Sequence, residues 1–392
     1  MSDALDNTRG NWNYPTAVRF GTGRAAEIGD ACKELGMSNP LLVTDPGLAA
    51  LPMIADAVRC CEAAGLKCAV YSDVKPNPVG KNVDDGVAAY KAGGHDGVIA
   101  FGGGSGLDAA KAIALLVGQN RPLFDFEDAG DNWTRVVEEG VAPIVAVPTT
   151  SGTGSEVGRA SLITDEENHV KKIIFHPKML PAIVVADPAL TEGLPAHITA
   201  ATGMDALSHN LEAYCSPHFH PMAEGIAVEG IRLVKEYLPA ATENGSDLIA
   251  RSQMMIASTM GATAFQRGLG GMHALAHPLG ALYDAHHGML NAILMPYVLI
   301  RNRPAIEDRM GRLAAFIGLE EANFDGFLNW VLDLRKTVNI PNDLGAIDID
   351  DAQAELVGKM ATEDPSAGGN PIQLTAEEYT EVFLKAVKGD LG

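Results

Sequence analysis

Short apolar runs and amphipathic stretches alternate along the first half of the chain. The runs LLVTD (41–45), CAVYSD (68–73), GVIAFG (97–102), PIVAVP (143–148) and AIVVAD (182–187) predict strands. Between them, LPMIADAVRCCEAAG (51–65) and VDDGVAAYKAGG (83–94) space their apolar residues at helical intervals. Such alternation predicts an α/β domain with a mostly parallel sheet. GVIAFG lacks strict in–out alternation, which suits a strand covered on both faces. From about residue 191 the pattern changes. Segments such as EGIAVEGIRLVKEYLPAA (224–241) repeat at helical spacing, and no strand-like run follows. The expectation is an α/β N-terminal domain over 1–190 and an all-helical C-terminal domain over 191–392, joined through ADPALTEGLP (186–195). No solenoid-period repeat or low-complexity tract interrupts this plan.

Composition narrows the function classes. Of 392 residues, 47% are hydrophobic and 20% charged, enough to bury a core. Lys and Arg total 29 against 50 Asp and Glu, a formal charge of −21. That balance argues against nucleic acid and against an anionic membrane surface as partners. A phosphorylated cofactor stays open, because backbone N–H groups hold phosphate without net positive charge. The five cysteines, Cys32, Cys60, Cys61, Cys68 and Cys215, form no C-x-x-C pair and are odd in number. They suit a reducing compartment rather than a disulfide framework or thiolate metal site. The opening MSDALDNTRG lacks a signal peptide's apolar core, and AILMPYVLI (292–300) is too short to span a bilayer and contains Pro296. A soluble, cytoplasmic protein is expected.

Two loops invite a ligand. GVIAFGGGSGLDAAKAIALL (97–116) reads as a strand, a tight turn at Gly102, Gly103 and Gly104, and a helix starting near Ser105. Glycines let backbone approach a ligand, and the helix end presents N–H groups and a positive dipole, so a pyrophosphate fits. The spacing matches neither G-x-G-x-x-G nor the P-loop, and a plain glycine turn capped by Ser105 explains the same residues. PTTSGTGSE (148–156) follows another strand and gathers hydroxyls and glycines where open α/β sheets bind ligands, although a simple polar loop reads equally well. Asp45, just past LLVT, is placed either to accept ribose hydroxyls or to cap a helix.

The histidines are more telling by position than by number. Asp205 and His209 stand four apart in GMDALSHNLEAY (203–214), as do His273 and His277 in GMHALAHPLG (271–280); His286 and His287 follow in DAHHG. Residues four apart share a helical face. Three neutral imidazoles and one carboxylate make a site for a divalent transition metal such as Fe or Zn. Any one histidine reads as well as a surface or hydrogen-bonded core residue, the reading kept for His95, His169, His176, His197, His218 and His220. No H-E-x-x-H is present.

Taken together, the chain resembles the iron-containing (metal-dependent, group III) alcohol dehydrogenases. The similarity runs from FGTG (20–23) through KPNP (75–78), GGGSGLDAAK (102–111), PTTSGTGSE (148–156), DPALTEGLP (187–195) and ATGMDALSHNLEAY (201–214) to HALAHPLG (273–280) and HHG (286–288). The resemblance implies metal ligands at Asp205, His209, His273 and His287, the last preferred to His286 because it directly precedes Gly288. It implies a dinucleotide with its pyrophosphate at Gly103, Gly104 and Ser105, the loop's helix anchored by Asp108, and Asn77, Thr149, Thr150 and Lys171 lining the cleft. Asp45 matches a ribose-contacting carboxylate and so favours NAD over NADP, and His277 matches a histidine near the nicotinamide that could relay a proton.

Two departures touch the substrate side of that pattern. FQRGLGGM (265–272) is one residue shorter than usual and carries Arg267, which is expected to approach the pocket mouth and favour substrates with an anionic end. EDPSAGGNPI (363–372) has Ser366 where some members have Cys and Ile372 where Arg is common.

The expected activity is metal-dependent, NAD(H)-linked interconversion of a small alcohol, hydroxyacids included, and its aldehyde or ketone. Fe²⁺ is the expected metal, with Zn²⁺ as alternative. The metal would act as Lewis acid and the cofactor would carry the hydride, in a cleft between the two domains. A homo-oligomer, as a dimer, is expected. The rivals are a glycerol-dehydrogenase-like polyol dehydrogenase, a dehydroquinate-synthase-like lyase and, outside enzymes, a dinucleotide sensor. Few basic residues stand near the ligand segments, against the lyase; the intact Asp/His/His/His set argues against metal-free maleylacetate reductases.

Overall fold

The apolar runs of the first half become five adjacent strands of one sheet, with CAVYSD at its edge. In this computed structural model residues 10–12, 16–168 and 170–392 are described; His169 and residues 1–9, on which the signal-peptide reading rests, lie outside them. The strands are β1 (Gly10–Trp12), β2 (Ala17–Phe20), β3 (Leu41–Val43), β4 (Ala69–Tyr71), β5 (Val98–Gly102), β6 (Ile144–Pro148), β7 (Ala160–Asp165), β8 (Val170–Phe175) and β9 (Ile183–Ala186). Seven of them form a sheet in the order β1-β2-β9-β6-β5-β3-β4. Its pairings are parallel apart from β1, which runs antiparallel to β2 at the edge. From β3 the chain moves outward to β4 and then returns to the other side of β3 as β5. The order therefore reverses between β3 and β5, and such a switch point is where open α/β sheets bind ligands.

Helices α1 (Ile28–Glu34), α2 (Pro46–Ala49), α3 (Pro52–Ala63), α4 (Gly80–Gly93) and α5 (Gly104–Leu116) connect these strands. On one face Ile28, Ile54 and Ala57 join Leu42, Ile99, Phe101, Val145 and Val147 in a closed apolar cluster. Every residue of α5 from Gly106 to Leu116 is buried, because the helix packs against β5, β6 and β7. This explains why its sequence is apolar nearly all round.

Two features escaped the pattern reading. β1 and β2 are paired strands that were not anticipated, and β7 and β8 form a separate antiparallel hairpin. In β7 it is Ser161, Ile163 and Asp165 that face inward while Leu162 is half-buried, so the hydropathy pattern does not advertise a strand.

The second half is helical: α6 (Ala196–Cys215), α7 (Pro221–Glu243), α8 (Leu248–Ala264), α9 (Gly271–Tyr283), α10 (His287–Phe316), α11 (Phe324–Thr337), α12 (Ala354–Glu363) and α13 (Ala376–Lys388). The chain divides into two compact units, one of residues 1–150 and 154–193, the other of 151–153 and 194–392. In the second unit α6 is the central rod, buried without a break from Thr199 to Cys215 and packed by α7, α8 and α10. Gly152 belongs to this unit because a Cβ there would lie 2.7 Å from that of Thr202. Among the described residues no helix is long and apolar enough to cross a membrane.

Candidate active site

In the first unit, the candidate cofactor residues gather at the carboxyl ends of neighbouring strands. The parallel register pairs Val43 with Ala100 and Gly102 with Pro148, so Asp45, the glycine turn and Thr149 emerge side by side. Gly102 has φ +151°, a conformation that side chains rarely adopt. A Cβ on Gly103 would lie 3.1 Å from Thr150 Cγ2, so any side chain there would press on that threonine. Gly104 and Ser105 then open α5 with their N–H groups at its free end. Asp45 serves a cap: its Oδ1 accepts from Leu48 N at 3.0 Å. The other oxygen faces the glycine turn, 3.9 Å from where a Gly102 Cβ would stand.

Asp108 acts one layer back. Its carboxylate accepts from Ser155 Oγ and from Leu162 N, tying α5 to the polar loop and to β7. Beside it Lys111, fully buried, donates to the carbonyls of Ser155 and Ala160 and lies 3.4 Å from Asp108. Burial pushes the Lys111 amine down, with Asp108 opposing. Lys111 was not singled out from the sequence, although a lysine inside an apolar helix is a visible signal. Asn77, at φ +52°, accepts from Lys171 Nζ at 2.6 Å, so those two candidates meet each other.

The second unit assembles the metal candidates. One ligand atom each from Asp205, His209, His273 and His287 lies within 4.8 Å of all the others. α6 supplies Asp205 and His209, α9 supplies His273, and His287 opens α10. The imidazole hydrogen bonds decide which nitrogen faces the group. His209 Nδ1 pairs with the Gly152 carbonyl at 3.2 Å, and His273 Nδ1 with Glu212 Oε2 at 2.6 Å. Both Nδ1 atoms therefore carry the proton, and each Nε2 presents a lone pair. Asp205 Oδ1 stands 4.0 Å from His209 Nε2 and 3.7 Å from His287 Nε2. Burial, and after it the neighbouring His209, drive His273 well below its ordinary pKa, so it is a neutral donor. Two imidazole lone pairs, the His287 ring and a buried carboxylate converging on one point fit a divalent cation. His286, by contrast, caps α10 by accepting from Met289 N.

His277 adjoins this group. Its ring stacks on His287 at 5.4 Å and meets His273 edge-on at 5.8 Å. Its Nδ1 lies 2.8 Å from Asp364 Oδ2, which leaves Nε2 for exchange. Against the upward push of burial, His277 and the Ser366 N–H hold the Asp364 carboxyl below the usual range. Asp364, Glu212 and Asn291 all escaped the sequence reading. Asn291, wholly buried one helical turn past His287, donates from Nδ2 to Asp205 Oδ1 at 2.9 Å and lies 3.1 Å from the Nε2 atoms of His273 and His287. With the Asp205 carboxylate and the His273 Nε2 lone pair beside it, the nitrogen and not the oxygen of the amide faces the group.

One expectation is overturned. Arg267 is only 4% exposed, and its guanidinium donates to the carbonyls of His218, Ala213 and Tyr214. It also pairs with Glu224 at 3.1 Å. It clamps the carboxyl end of α6, where orphan carbonyls need donors, and has no fork left for a substrate anion. Ser366 is buried and Ile372 packs on the helical core, beside the Asp364 that holds His277.

Comparison with known proteins decides the lineage. The profile of iron-containing alcohol dehydrogenases matches residues 15–188, and that of the C-terminal region of the Fe-containing alcohol dehydrogenase family matches residues 199–387. The chain belongs to the iron-containing alcohol dehydrogenase family. It is 36% identical over 375 residues to alcohol dehydrogenase 4 of Saccharomyces cerevisiae, covering 95% of this chain and 97% of the relative. It is 37% identical over 384 residues to 4-hydroxybutyrate dehydrogenase of Cupriavidus necator, covering 95% and 99%. The crystal structure of a 1,3-propanediol oxidoreductase superposes with a TM-score of 0.90 at 34% identity, over 94% of this chain and 97% of that one. The α/β-plus-helical architecture is that of the family, and the protein is an oxidoreductase acting on alcohols rather than a dinucleotide sensor.

Proposed function

We propose that this enzyme is a metal-dependent NAD(H) alcohol dehydrogenase in which Asp205, His209, His273 and His287 hold the cation. The observation that carries the reading is the convergence of those four donors within 4.8 Å, two of them with Nδ1 already committed elsewhere. Bound there, the cation supplies Lewis acidity at the alcohol oxygen, and bound NAD supplies the hydride acceptor. The chain's own residues do the rest. The glycine turn and the first N–H groups of α5 cradle the pyrophosphate, Thr149 and Thr150 line its wall, and Asp45 receives the ribose hydroxyls. Asp108 holds the turn's helix, and the Asn77–Lys171 pair borders the cofactor. His277, held by Asp364, takes the alcohol's proton at Nε2 and returns it in the reverse direction.

Fe²⁺ is the assigned metal and Zn²⁺ the alternative, since the N₃O donor set suits either. The first unit is then the dinucleotide-binding domain and the second the metal and substrate domain. Substrates are small alcohols, with hydroxyacids and diols in range as for the relatives named above. The enzyme is cytoplasmic, a reading supported by five free cysteines, and a homodimer, which sedimentation checks. The deciding experiment is metal-free protein reloaded with Fe²⁺ or Zn²⁺ and assayed with NAD⁺ against short alcohols, diols and ω-hydroxyacids. Turnover restored by the cation is expected; turnover that ignores it would remove the reading.

A further inference from the structure

Glu212 lies outside the ligand set yet on the same face of α6, seven residues past Asp205 and three past His209. It is 5% exposed, and three N–H groups at the start of α9 converge on it. Gly270 N donates to Oε2 at 2.8 Å, Met272 N to Oε1 at 2.6 Å, and His273 Nδ1 lies 2.6 Å from Oε2. A carboxylate has acceptor sites for all three; a glutamine would turn its NH₂ toward an N–H. The single carboxylate thus fixes the tautomer of His273, leaves its Nε2 to the four-residue group and seats the helix that carries it. An anion behind an imidazole also strengthens the ring as a donor.

We propose that Glu212 is a positioning residue that sets the affinity of the site for a divalent cation by holding His273. The inference rests on the metal reading above. It is tested with Co²⁺, whose visible bands report the ligand field, in the full-length metal-free protein. In Glu212→Gln the Co²⁺ dissociation constant, measured by competition with a chromophoric chelator, should rise roughly 10- to 100-fold. The bands should shift as the imidazole loses its anionic partner.

A control separates positioning from mere helix anchoring. Gly271 N donates to Asn370 Oδ1 at 3.0 Å, so Asn370→Ala strips another acceptor from the same helix start without touching His273. It should lower thermal stability while leaving Co²⁺ affinity within about twofold. Wild-type affinity and spectrum in Glu212→Gln, or equal weakening in Asn370→Ala, would reduce Glu212 to a helix clamp and overturn the proposal. Failure of the wild type itself to take up Co²⁺ would sink the metal reading instead. Should Glu212→Gln not fold, Glu212→Asp keeps the charge but withdraws it by one methylene; about tenfold weaker Co²⁺ binding is expected, and unchanged affinity overturns the idea.

Discussion

The partner of a histidine's other nitrogen decides which nitrogen a metal could meet, and His209 and His273 show it. His209 and His273 have Nδ1 occupied by Gly152 and Glu212, whereas His176, His220 and His286 spend Nδ1 capping short backbone turns. His273→Ala should therefore abolish stoichiometric metal and turnover while NAD affinity stays near that of the wild type, since the glycine turn belongs to the other unit. Elemental analysis and NAD titration of one preparation check this; retained metal would refute the ligand assignment. Arg267 shows the opposite lesson. Removing its guanidinium takes the side-chain donor from the Ala213 and His218 carbonyls, while Tyr214 keeps Arg309, so Arg267→Ala should cost roughly 2–3 kcal/mol of stability. The ratio of KM for a carboxylated substrate to that for a neutral alcohol should not move. Urea unfolding and paired kinetics read the two effects separately, and a selective rise in KM for the acid would restore the pocket-mouth role.

Register is what turns separate strands into a site. Because β3, β5 and β6 run parallel with Val43 beside Ala100 and Gly102 beside Pro148, residues far apart in sequence arrive together at the carboxyl ends of the strands. Asp45 is placed this way, with one oxygen capping α2 and the other toward the glycine turn. A carboxylate beside the adenosine ribose repels a 2′-phosphate, so the enzyme should prefer NAD to NADP. Asp45→Gly should narrow that preference, and glycine is the right replacement because it costs a cap only a few tenths of a kcal/mol. Equal kcat/KM for both cofactors in the wild type would end this argument. These elements were legible because strand, turn and helix lie contiguous in GVIAFGGGSGLDAAK. The β7–β8 hairpin was not, since Ser161 and Asp165 face inward in place of apolar residues. Nor was the His277–Asp364 pair, whose members are 87 residues apart, or Glu212, which looks like any glutamate until the fold sets three N–H groups around it.

At the scale of the whole molecule, the chain separates its chemistry between two units that each close a core of their own. The proposed cofactor residues ride on strand ends of the first, and the proposed cation joins three helices of the second, α6 along its length and α9 and α10 at their starts. A ligand that binds only the folded state stabilises it by mass action, about 2.7 kcal/mol at a hundredfold excess over Kd. For a unit of this size that corresponds to a rise in Tm of roughly 5–10 °C. Stripping the metal should therefore lower the Tm of the second unit, and reloading should restore it. Saturating NAD should raise the stability of the first unit even in metal-free protein, because its cradle draws on none of the four donors. Hydrogen exchange resolved by segment distinguishes the two responses: metal should protect α6, α9 and the start of α10, and NAD the segments around β3, β5 and β6. Protection by metal confined to the strand ends, or none at all, would mean that the Asp205–His209–His273–His287 cluster is an ordinary buried polar group and that the cation acts elsewhere.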